Sequence, residues 1–579
     1  MRTKWLIKEA PNLSEVQQLR SEIKLEETIA YMLVQRGIKT QEAAYAFFNS
    51  TLKQLHDPFL MKDMEKAVQR VQKALDENEK ILIYGDYDVD GTTAVALVYS
   101  ILSKHTDQIA YYIPDRYIEG YGVSEKGIHA AHEGGFTLLI TLDCGIKAND
   151  KIDLAKSFGI DTIVCDHHTP GEVLPDAIVL DPKRTDCDYP YKELSGCGVG
   201  FKLMQALTTV NNWEEKILFS NLDLLAISIG ADIVHVTGEN RLLAQFGLKQ
   251  INQATYQRLG VNEMLRLAKK ERPLTLEDVV FTIAPRINAA GRLDDAKTAV
   301  KLLISNELEE VKRIAQGIHV LNDERRELDK EITIEAMAMI AEDATFKDKH
   351  TTVVYKDDWH KGVVGIVASR LIEKHYRPTI VLTSTDNGES WTGSARSIKD
   401  IDIYEVLEKC SSTIEQFGGH IMAAGMTIKN ENLQAFIDKF EEEVRKLCNS
   451  ETLIPEQIVE KELPFNQLFT MAESVHETPR LMRVLKQFEP HGPENMKPLF
   501  MATNVFSTET RLLKGEHLKM KVSQPDFERQ SIDAIFFNAA DYLEIIEDGP
   551  FEMVYTLDEN QFRGKTTPQI MVKDIRKML

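Results

Sequence analysis

Acidic and imidazole side chains recur directly after apolar segments in the first half of the chain. Asp86, Asp88 and Asp90 follow one such segment, Asp143 follows a second, and Asp166-His167-His168 follows a third. Carboxylates combined with one or two imidazoles suit hard divalent ions such as Mn²⁺ or Mg²⁺ better than a thiolate-rich zinc site. Two such ions, about 3.5–4 Å apart, can stabilise both the attacking and the leaving oxygen of a phosphodiester. These residue types therefore predict a two-metal phosphoesterase site.

The segments before these residues have the composition of buried strands. Short runs rich in β-branched residues, separated by helix-like stretches, cover residues 81–84, 137–142 and 162–165. Continuous apolar runs of this length are typical of parallel strands that are covered on both faces. Open α/β sheets bind their ligands just beyond the carboxyl ends of the strands. We therefore expect three strands to direct their Asp and His side chains into one crevice.

Each of these residues also has an ordinary structural explanation. An isolated Asp after a strand is usually a turn residue or a helix N-cap, and His167 with His168 could be a solvated pair. Three Asp residues within the five positions 86–90 are harder to explain in this way. Like charges so close together repel each other unless cations neutralise them. The combination favours metal ligands.

Further motifs connect the chain to a known family. In chain order they are Ile113-Pro114-Asp115-Arg116, Glu119-Gly120-Tyr121-Gly122, Ala231-Asp232, Pro285-Arg286-Ile287-Asn288-Ala289-Ala290-Gly291-Arg292, Trp359-His360-Lys361-Gly362, Gly393-Ser394-Ala395-Arg396 and Gly418-Gly419-His420. In this order and spacing the chain resembles the RecJ family of single-strand-specific exonucleases, within the DHH phosphoesterase superfamily. The resemblance covers nearly the whole sequence.

The resemblance implies a role for each matching residue. The implied metal ligands, for two ions of Mn²⁺ or Mg²⁺, are Asp88, Asp90, Asp143, His167 and Asp232. The implied catalytic residues are His168, which would contact the scissile phosphate, Asp166, and Asp86, which is either an orienting residue or a further ligand. The residues expected to bind substrate are Arg116, Arg286, Asn288, Arg292, His360, Ser394, Arg396 and His420.

Two of these positions leave alternatives open, and one further position differs from the superfamily pattern. Family members that act on small substrates carry a His four residues before the first ligand Asp, where this chain has Tyr84. This difference fits the RecJ branch and would leave one imidazole fewer at the first metal. Arg396 could instead form a surface salt bridge, and His420 could be a core or helix-capping histidine.

The fold class implied is α/β, a two-lobed DHH phosphoesterase with a C-terminal OB-fold β-barrel. Apolar residues that recur every three or four positions over 307–342 predict a long helix between the lobes. Alternation of apolar and polar residues over 518–523 predicts a strand of a small antiparallel barrel. The expected domains are an N-terminal helical segment (1–55) packed on the first large domain, a parallel-sheet DHH catalytic domain (56–300), a connecting helix (301–344), a DHH-associated substrate-binding domain (345–452) and the OB-fold domain (453–579).

OB-folds hold single strands by stacking bases on aromatic rings along a basic groove. The candidates for such contacts are Phe500, Phe506, Arg511, Lys514, Lys519 and Lys521. Each candidate aromatic is equally well explained as a core residue, and each lysine as a solvated side chain.

Composition limits the class of protein. A chain of 579 residues exceeds the size of a single hydrophobic core, and its six cysteines have no Cys-x-x-Cys spacing, as in reduced cytosolic proteins. The sequence has no leader-like N-terminus and no apolar run of about eighteen residues, so we expect a cytoplasmic protein without a membrane span. A net charge of −21 argues at first against nucleic-acid binding. A locally positive groove on a negative exterior would still bind single strands.

These observations predict an enzyme, a metal-dependent phosphoesterase with a polymeric single strand as substrate, and the resemblance implies that it is an exonuclease of single-stranded DNA. The family resemblance adds 5′→3′ polarity, release of 5′-mononucleotides, a role in DNA recombination and repair, and recruitment by a single-strand-binding protein and a RecQ-type helicase. Two alternatives remain at this stage. One is a phosphoesterase of small substrates, which Tyr84 and the predicted barrel disfavour. The other is a non-catalytic scaffold, which the intact ligand set disfavours.

Overall fold

The computed structural model describes residues 3–116, 118–293, 295–385, 388–449, 451–469, 474–527, 530–562 and 564–578. The strands, in chain order, are β1 (Lys4–Ile7), β2 (Ile81–Gly85), β3 (Ile109–Tyr112), β4 (Leu138–Leu142), β5 (Asp161–Cys165), β6 (Ile178–Leu180), β7 (Thr352–Tyr355), β8 (Thr379–Ser384), β9 (Ser390–Arg396), β10 (Gln416–His420), β11 (Ala423–Lys429), β12 (Glu456–Val459), β13 (Lys461–Glu462), β14 (Phe500–Leu513), β15 (His517–Ser523), β16 (Ile532–Phe536), β17 (Phe551–Phe562) and β18 (Lys565–Lys577).

The helices, in chain order, are α1 (Leu13–Ile23), α2 (Glu27–Gln35), α3 (Gln41–Phe48), α4 (Met64–Asp76), α5 (Val89–Leu102), α6 (Glu125–Glu133), α7 (Asn149–Ser157), α8 (Gly196–Asn211), α9 (Glu215–Phe219), α10 (Leu222–Ala231), α11 (Gly238–Ile251), α12 (Leu259–Leu267), α13 (Leu276–Thr282), α14 (Ala284–Leu293), α15 (Lys297–Ile304), α16 (Leu308–Glu342), α17 (Val364–Lys374), α18 (Ile403–Lys409), α19 (Leu433–Leu447), α20 (Arg480–Leu485) and α21 (Leu543–Glu547). None of the described helices is both long and apolar enough to cross a membrane.

Two compact units divide the chain. One contains residues 56–234 and 246–455, and the other contains residues 3–55, 235–245 and 456–578. Because each unit draws on more than one stretch of sequence, a single boundary along the chain does not separate them.

The first unit contains the predicted parallel sheet, in the order β3-β2-β4-β5-β6. Every residue of β2 and β4 is buried, as expected for central strands that have helices on both faces. On one face, Leu82, Tyr84 and Leu139 pack against Ile128 of α6 and Ala155 of α7. Helices α5 and α8 cover the opposite face. All three strands predicted from apolar composition are confirmed.

A second sheet of the same unit has the order β10-β11-β9-β8-β7 and is mixed, since β7 and β8 are parallel and the other neighbours are antiparallel. The predicted long helix is confirmed as α16. Its second half buries Ile332, Ala336 and Ile340 in a core that includes α17 and β7. Between its apolar ends α16 buries a polar residue, Asp329, which accepts hydrogen bonds of 2.6–2.9 Å from Arg370 of α17.

The second unit contains the predicted barrel. The strands follow the order β14-β15-β16-β18-β17, and pairing between β14 and β17 closes the sheet. In β15 the buried residues Leu518, Met520 and Val522 alternate with partly exposed Lys519 and Lys521, as the period of two predicted. This closure confirms the predicted OB-type barrel.

Residues 1–55 contain the expected helices, α1 to α3, but the expectation that they pack on the first large domain is wrong. Leu19, Ile29 and Leu33 of the N-terminal helices belong to the same hydrophobic core as Phe488 and Phe500 of the second unit. In addition, residues 4–7 form strand β1, which pairs in parallel with β12. The apolar face of these helices was visible in the sequence, but amphipathicity does not identify the surface against which a helix packs.

Candidate metal centre

The carboxyl ends of neighbouring parallel strands bring the predicted acidic residues together. Asp86 follows β2, Asp143 follows β4, and Asp166 follows β5, and each of these side chains is 0–1% exposed. Asp143 has a left-handed backbone with φ 60°, a conformation that non-glycine residues seldom adopt and that is often found at functional sites. Its amide donates to the Cys165 carbonyl at 2.9 Å, which ties the end of β4 to the end of β5.

The start of α5 places two more carboxylates at this edge. Asp88 is the N-cap of α5, and its Oδ1 accepts a hydrogen bond of 3.0 Å from the Gly91 amide. The N-cap reading considered from sequence is therefore correct for Asp88, and it leaves the second carboxylate oxygen for another partner. Asp90 lies in the first turn of α5 and is buried.

Asp90 is held by groups from two other helices. Its Oδ2 accepts from the Gly196 amide at 2.6 Å, and its Oδ1 accepts from the Cys197 amide at 2.9 Å and the Ser228 hydroxyl at 2.7 Å. The amides come from the first turn of α8, where exposed N–H groups and the helix dipole favour a negative charge. This arrangement fixes the direction of the buried carboxylate.

His167 lies at the centre of the carboxylates. Its Nε2 is 3.1 Å from Asp143 Oδ1, 3.5 Å from Asp232 Oδ2 and 3.8 Å from Asp90 Oδ2. Asp232 reaches this point from the C-terminal end of α10. Among the described residues, two groups have the spacing to hold a cation, Asp143 with His167 and His168, and Asp90 with His167 and Asp232. The two groups share His167.

Several buried atoms of this cluster make no hydrogen bond. Asp86 Oδ2, Asp143 Oδ1 and both ring nitrogens of His167 are buried and have no hydrogen-bond partner. A buried polar group without a partner is costly, and in native proteins it usually serves a ligand. The donor set, carboxylates with imidazole, matches a pair of hard divalent cations. The residues present therefore fit Mn²⁺ or Mg²⁺.

The electrostatics of the cluster lead to the same conclusion. Burial and then the charge of Asp88 raise the pKa of Asp86 to about 8. Burial and then the charge of Asp90 raise the pKa values of Asp143 and Asp232 well above their usual range. Carboxylates this close cannot all be ionised at neutral pH unless cations neutralise them.

Asp166 and His168 form a separate pair at the rim. Asp166 Oδ1 lies 2.8 Å from His168 Nδ1, and its Oδ2 accepts from the Ile146 amide at 2.9 Å. Burial alone would raise the pKa of Asp166, but the hydrogen bond and charge of His168 lower it to about 2. Burial opposes protonation of His168, yet the bond to Asp166 raises the pKa of the imidazole above its ordinary value. His168 Nε2 then faces the Tyr121 hydroxyl at 3.1 Å.

Residues of the second sheet approach this rim. The ring of His420 is 6.4 Å from that of His168 and nearly parallel to it, and His420 is exposed, which excludes the core-histidine alternative. Arg396 donates to the Ser394 hydroxyl at 2.6 Å. Burial and the nearby charge of Arg116 lower the pKa of Arg396. The guanidinium of Arg116 lies 4.8 Å from the centre of the Tyr87 ring, beside the Asp86–Asp90 segment.

The predicted substrate residues on α14 point in different directions. Arg292 donates to the Gly362 carbonyl at 3.0 Å, next to His360, and half-buried Asn288 lies one turn earlier on the same side of the helix. Arg286, in contrast, is buried and faces α16, with Nη1 2.5 Å from the Thr282 carbonyl and Nη2 3.5 Å from the His319 ring. The structure does not bring Arg286 together with Asn288 and Arg292.

Three residues that hold Asp90 were not anticipated from sequence. Gly196, Cys197 and Ser228 contribute two amides and a hydroxyl, none of which is a recognisable catalytic group. The available signal was Ser195 followed by Gly196, Gly198 and Gly200 at the start of an apolar helix. Gly196 is required by close approach, because a Cβ there would lie 2.6 Å from Asp143 Cβ and 2.7 Å from Asp143 Oδ1.

Comparisons with known proteins identify three family domains and several relatives of the chain. Residues 80–229 match the DHH family N-terminal domain, residues 348–446 the DHHA1 domain, and residues 472–574 the RecJ OB domain. The single-stranded-DNA-specific exonuclease RecJ of Bacillus subtilis is 36% identical over 99% of this chain and 70% of its own length. The protein of the same name from Escherichia coli is 34% identical over 88% of this chain and 90% of its own length.

A solved structure is similar to this chain over its whole length. The crystal structure of RecJ in complex with Mn²⁺ from Thermus thermophilus matches with a TM-score of 0.83 and 25% identity, covering 100% of this chain and 80% of that one. Sequence identity, domain order and overall fold thus agree with one another. The chain belongs to the RecJ family of single-stranded-DNA-specific exonucleases.

Proposed function

We propose that this protein removes mononucleotides from the 5′ end of single-stranded DNA, with Mn²⁺ or Mg²⁺ as the cofactor. Its membership of an exonuclease family and the metal-type cluster make it a metal-dependent exonuclease. The observation that carries the proposal is the pair of overlapping ligand groups around His167, whose buried ring nitrogens and neighbouring carboxylate oxygens lack hydrogen-bond partners.

Five side chains would hold two divalent cations. These are Asp88, Asp90, Asp143, His167 and Asp232. Bound cations would neutralise the phosphodiester and favour the ionisation of water. The protein keeps the ligands in fixed directions, because the amides of α8 hold Asp90 and the α5 N-terminus holds Asp88. Asp86 accepts from the Gly122 amide at 3.1 Å and would orient the neighbouring ligands.

His168 would donate to the scissile phosphate. Asp166 accepts from His168 Nδ1 and stabilises the protonated ring, which leaves Nε2 as a donor directed at the rim of the metal centre. With the ring protonated, the Tyr121 hydroxyl accepts from the same nitrogen at 3.1 Å and donates to the Asp143 carbonyl at 3.4 Å. Tyr121 thus limits the rotation of the imidazole, and a phosphate oxygen of bound substrate would take the hydrogen bond from Nε2 in its place.

Positive charge beside the metal centre supports the proposed 5′→3′ polarity. The positive charge of Arg116 lowers the pKa of Arg396, and Arg396 donates to the Ser394 hydroxyl at 2.6 Å. Two guanidinium groups and a hydroxyl can bind a terminal phosphate dianion. A 5′-phosphate docked there would place the next phosphodiester at the metal centre and set a product of one nucleotide. His360, Asn288 and Arg292 would extend this contact along α14 and the 359–363 segment.

Family membership supports a proposal for the wider role. A closed barrel of the RecJ OB type is suited to hold the strand beyond the cleavage point. A cytoplasmic enzyme of this activity would act in DNA recombination and repair, after a RecQ-type helicase exposes one strand and alongside a single-strand-binding protein.

End-labelled substrates test the proposal. Single strands labelled at the 5′ end should release labelled mononucleotide at once, whereas 3′-labelled strands should shorten gradually. Chelator should stop both reactions, and blunt duplex should resist. Immediate release of a 3′ label would contradict the polarity, and cleavage in chelator would contradict the metal dependence.

A further inference from the structure

Tyr84 is a fully buried tyrosine whose hydroxyl does not contact the metal-type residues. The hydroxyl donates to the Gly122 carbonyl at 3.1 Å and accepts from the Ser124 amide at 3.0 Å. The ring stacks on Tyr112 at 5.3 Å between centroids. Tyr84 therefore connects the interior of the sheet to the segment that follows β3, here named the rim loop (residues 113–116 and 118–124).

Glu119 anchors the same loop from within. Its side chain is only 4% exposed. It accepts hydrogen bonds from the Ser124 hydroxyl at 2.6 Å, the Tyr112 hydroxyl at 2.9 Å and the Asp115 amide at 3.0 Å. Ser124 contacts both Glu119 and Tyr84, so these residues form one network that closes the two ends of the loop on each other.

The rim loop carries two residues that lie next to the candidate metal centre. The guanidinium of Arg116 lies 4.8 Å from the centre of the Tyr87 ring, beside the Asp86–Asp90 segment, and Tyr121 contacts His168. A third contact, from the Gly122 amide to Asp86, connects the loop to the metal centre. The position of both side chains therefore depends on how firmly the network holds a short stretch of irregular backbone.

We propose that Tyr84 and Glu119 are positioning residues for recognition of the 5′ end, acting through Arg116 on the rim loop. The inference rests on the proposed function, because it assumes that Arg116 binds a terminal phosphate. Tyr84 acts as the anchor of a substrate-binding loop, at the sequence position where small-substrate members of the superfamily carry an imidazole.

The test compares Tyr84→Phe with wild type on single strands that bear a 5′-phosphate or a 5′-hydroxyl. The variant keeps the ring and removes a hydroxyl that makes two hydrogen bonds to the rim loop, and a net loss of about 1 kcal/mol corresponds to roughly fivefold. We expect KM for 5′-phosphorylated strands to rise about fivefold, by the same principle. The preference for the phosphorylated end should fall accordingly, while kcat and the affinity for Mn²⁺ alone, measured by calorimetry, stay unchanged. Glu119→Gln should likewise raise KM for 5′-phosphorylated strands and leave kcat unchanged.

Two controls distinguish a specific effect on the position of the rim loop from a general loss of structure. Tyr111→Phe removes a hydroxyl from the same sheet, where the ring packs on Tyr99, and should change nothing. In an Arg116→Ala background, Tyr84→Phe should cause little further loss, because both changes remove the same interaction.

Several outcomes would overturn the inference. They are an unchanged end preference in Tyr84→Phe, weaker Mn²⁺ binding by that variant, or full additivity with Arg116→Ala. A wild-type enzyme that does not distinguish the two 5′ groups would instead refute end recognition itself. The wild-type enzyme is measured before any variant, so a failure of the proposed 5′-end recognition can be distinguished from a failure of the proposed positioning role.

Discussion

The metal centre and the outer face of the barrel represent two different ways of building a functional surface. At the metal centre the polar atoms are buried, and Asp143 Oδ1 and both nitrogens of His167 lack hydrogen-bond partners. On the outer face of β14 and β15, Lys521 is 43% exposed and Arg511 is 74% exposed, and both pair with Glu509, at 3.0 Å and 3.6 Å.

This difference determines how function responds to mutation. An unsatisfied buried group carries a large energetic cost that only a specific ligand removes, so each residue of the metal centre should be indispensable. Exposed ion pairs contribute little individually, and their binding energy for phosphates adds up over many contacts. We therefore expect all-or-none effects at the metal centre and graded effects on the barrel.

The largest effect should come from Asp143→Asn, which preserves shape and removes one charge. We expect a loss of at least about a thousandfold in kcat, since metal-ligand contacts contribute several kcal/mol to transition-state stabilisation. Digestion of end-labelled single strands under saturating Mn²⁺ provides the measurement. Asp176→Asn, at an exposed carboxylate in a surface ion pair, is the control and should be neutral. Near-native turnover of Asp143→Asn would remove the contrast between the two regions.

A smaller but still large effect is expected from Gly196→Ala. The added Cβ would come within 2.7 Å of Asp143 Oδ1 and would displace a ligand without changing any charge. Disturbing the support of a metal ligand typically costs about 10–100-fold in metal affinity or activity. Gly198→Ala, in the same helix turn, is the matched control, because its Cβ would meet neighbours only at 3.4 Å or more. Equal effects of both variants on Mn²⁺ affinity would indicate that helix packing, not ligand position, is responsible.

The pH dependence of stability tests whether the buried carboxylates of the metal centre repel one another. In the unfolded chain the Asp carboxyls ionise near pH 4 (about 3.9). Burial and like charges raise the pKa of Asp86 to about 8 and those of Asp143 and Asp232 well above the usual range. Between these limits the folded state binds more protons than the unfolded state, so its stability falls as pH rises.

Chelated protein should therefore melt several degrees lower at pH 8 than at pH 6, and saturating Mn²⁺ should abolish the difference. Differential scanning fluorimetry in EDTA or Mn²⁺ measures this change. A melting temperature independent of pH in EDTA would mean that the carboxylates do not destabilise one another.

The same contrast explains what could be predicted from sequence. Three apolar runs each ended in Asp, and parallel pairing of such runs brings their ends to one edge, so Asp86, Asp143 and Asp166 were predictable as neighbours. The supporting amides of Gly196 and Cys197 were not, because a backbone N–H has no sequence signature and its direction depends on how α8 docks. Arg286 illustrates the converse, since its residue type suggested substrate binding and only the rotation of α14 shows that it faces α16.

On the barrel, sequence predicted the strands better than the binding residues. The alternation in β15 was correct, but it could not distinguish a core aromatic from a stacking platform. Phe500 is fully buried, which supports the core alternative, whereas Phe506 is 37% exposed and remains a candidate. The packing of the N-terminal helices could not be predicted for a related reason. Their apolar faces were evident, but their packing partner, Phe488, lies more than 400 residues away along the chain.

The smallest effect expected concerns the barrel face itself. Replacing Lys519 and Lys521 with alanine removes two charges that project from β15 next to Arg511, so long single strands should bind a few-fold more weakly. The dependence of log affinity on log salt should become shallower by about 2, one unit for each lost phosphate contact. Cleavage of oligonucleotides too short to reach the barrel should not change.

Lys39→Ala with Lys53→Ala is the control, because it removes the same charge from the second unit outside the barrel. Lys39, like Lys521, forms an exposed ion pair with a glutamate. If both pairs of substitutions weaken binding equally, net charge and not the barrel face is responsible, and if neither does, this face does not hold the strand.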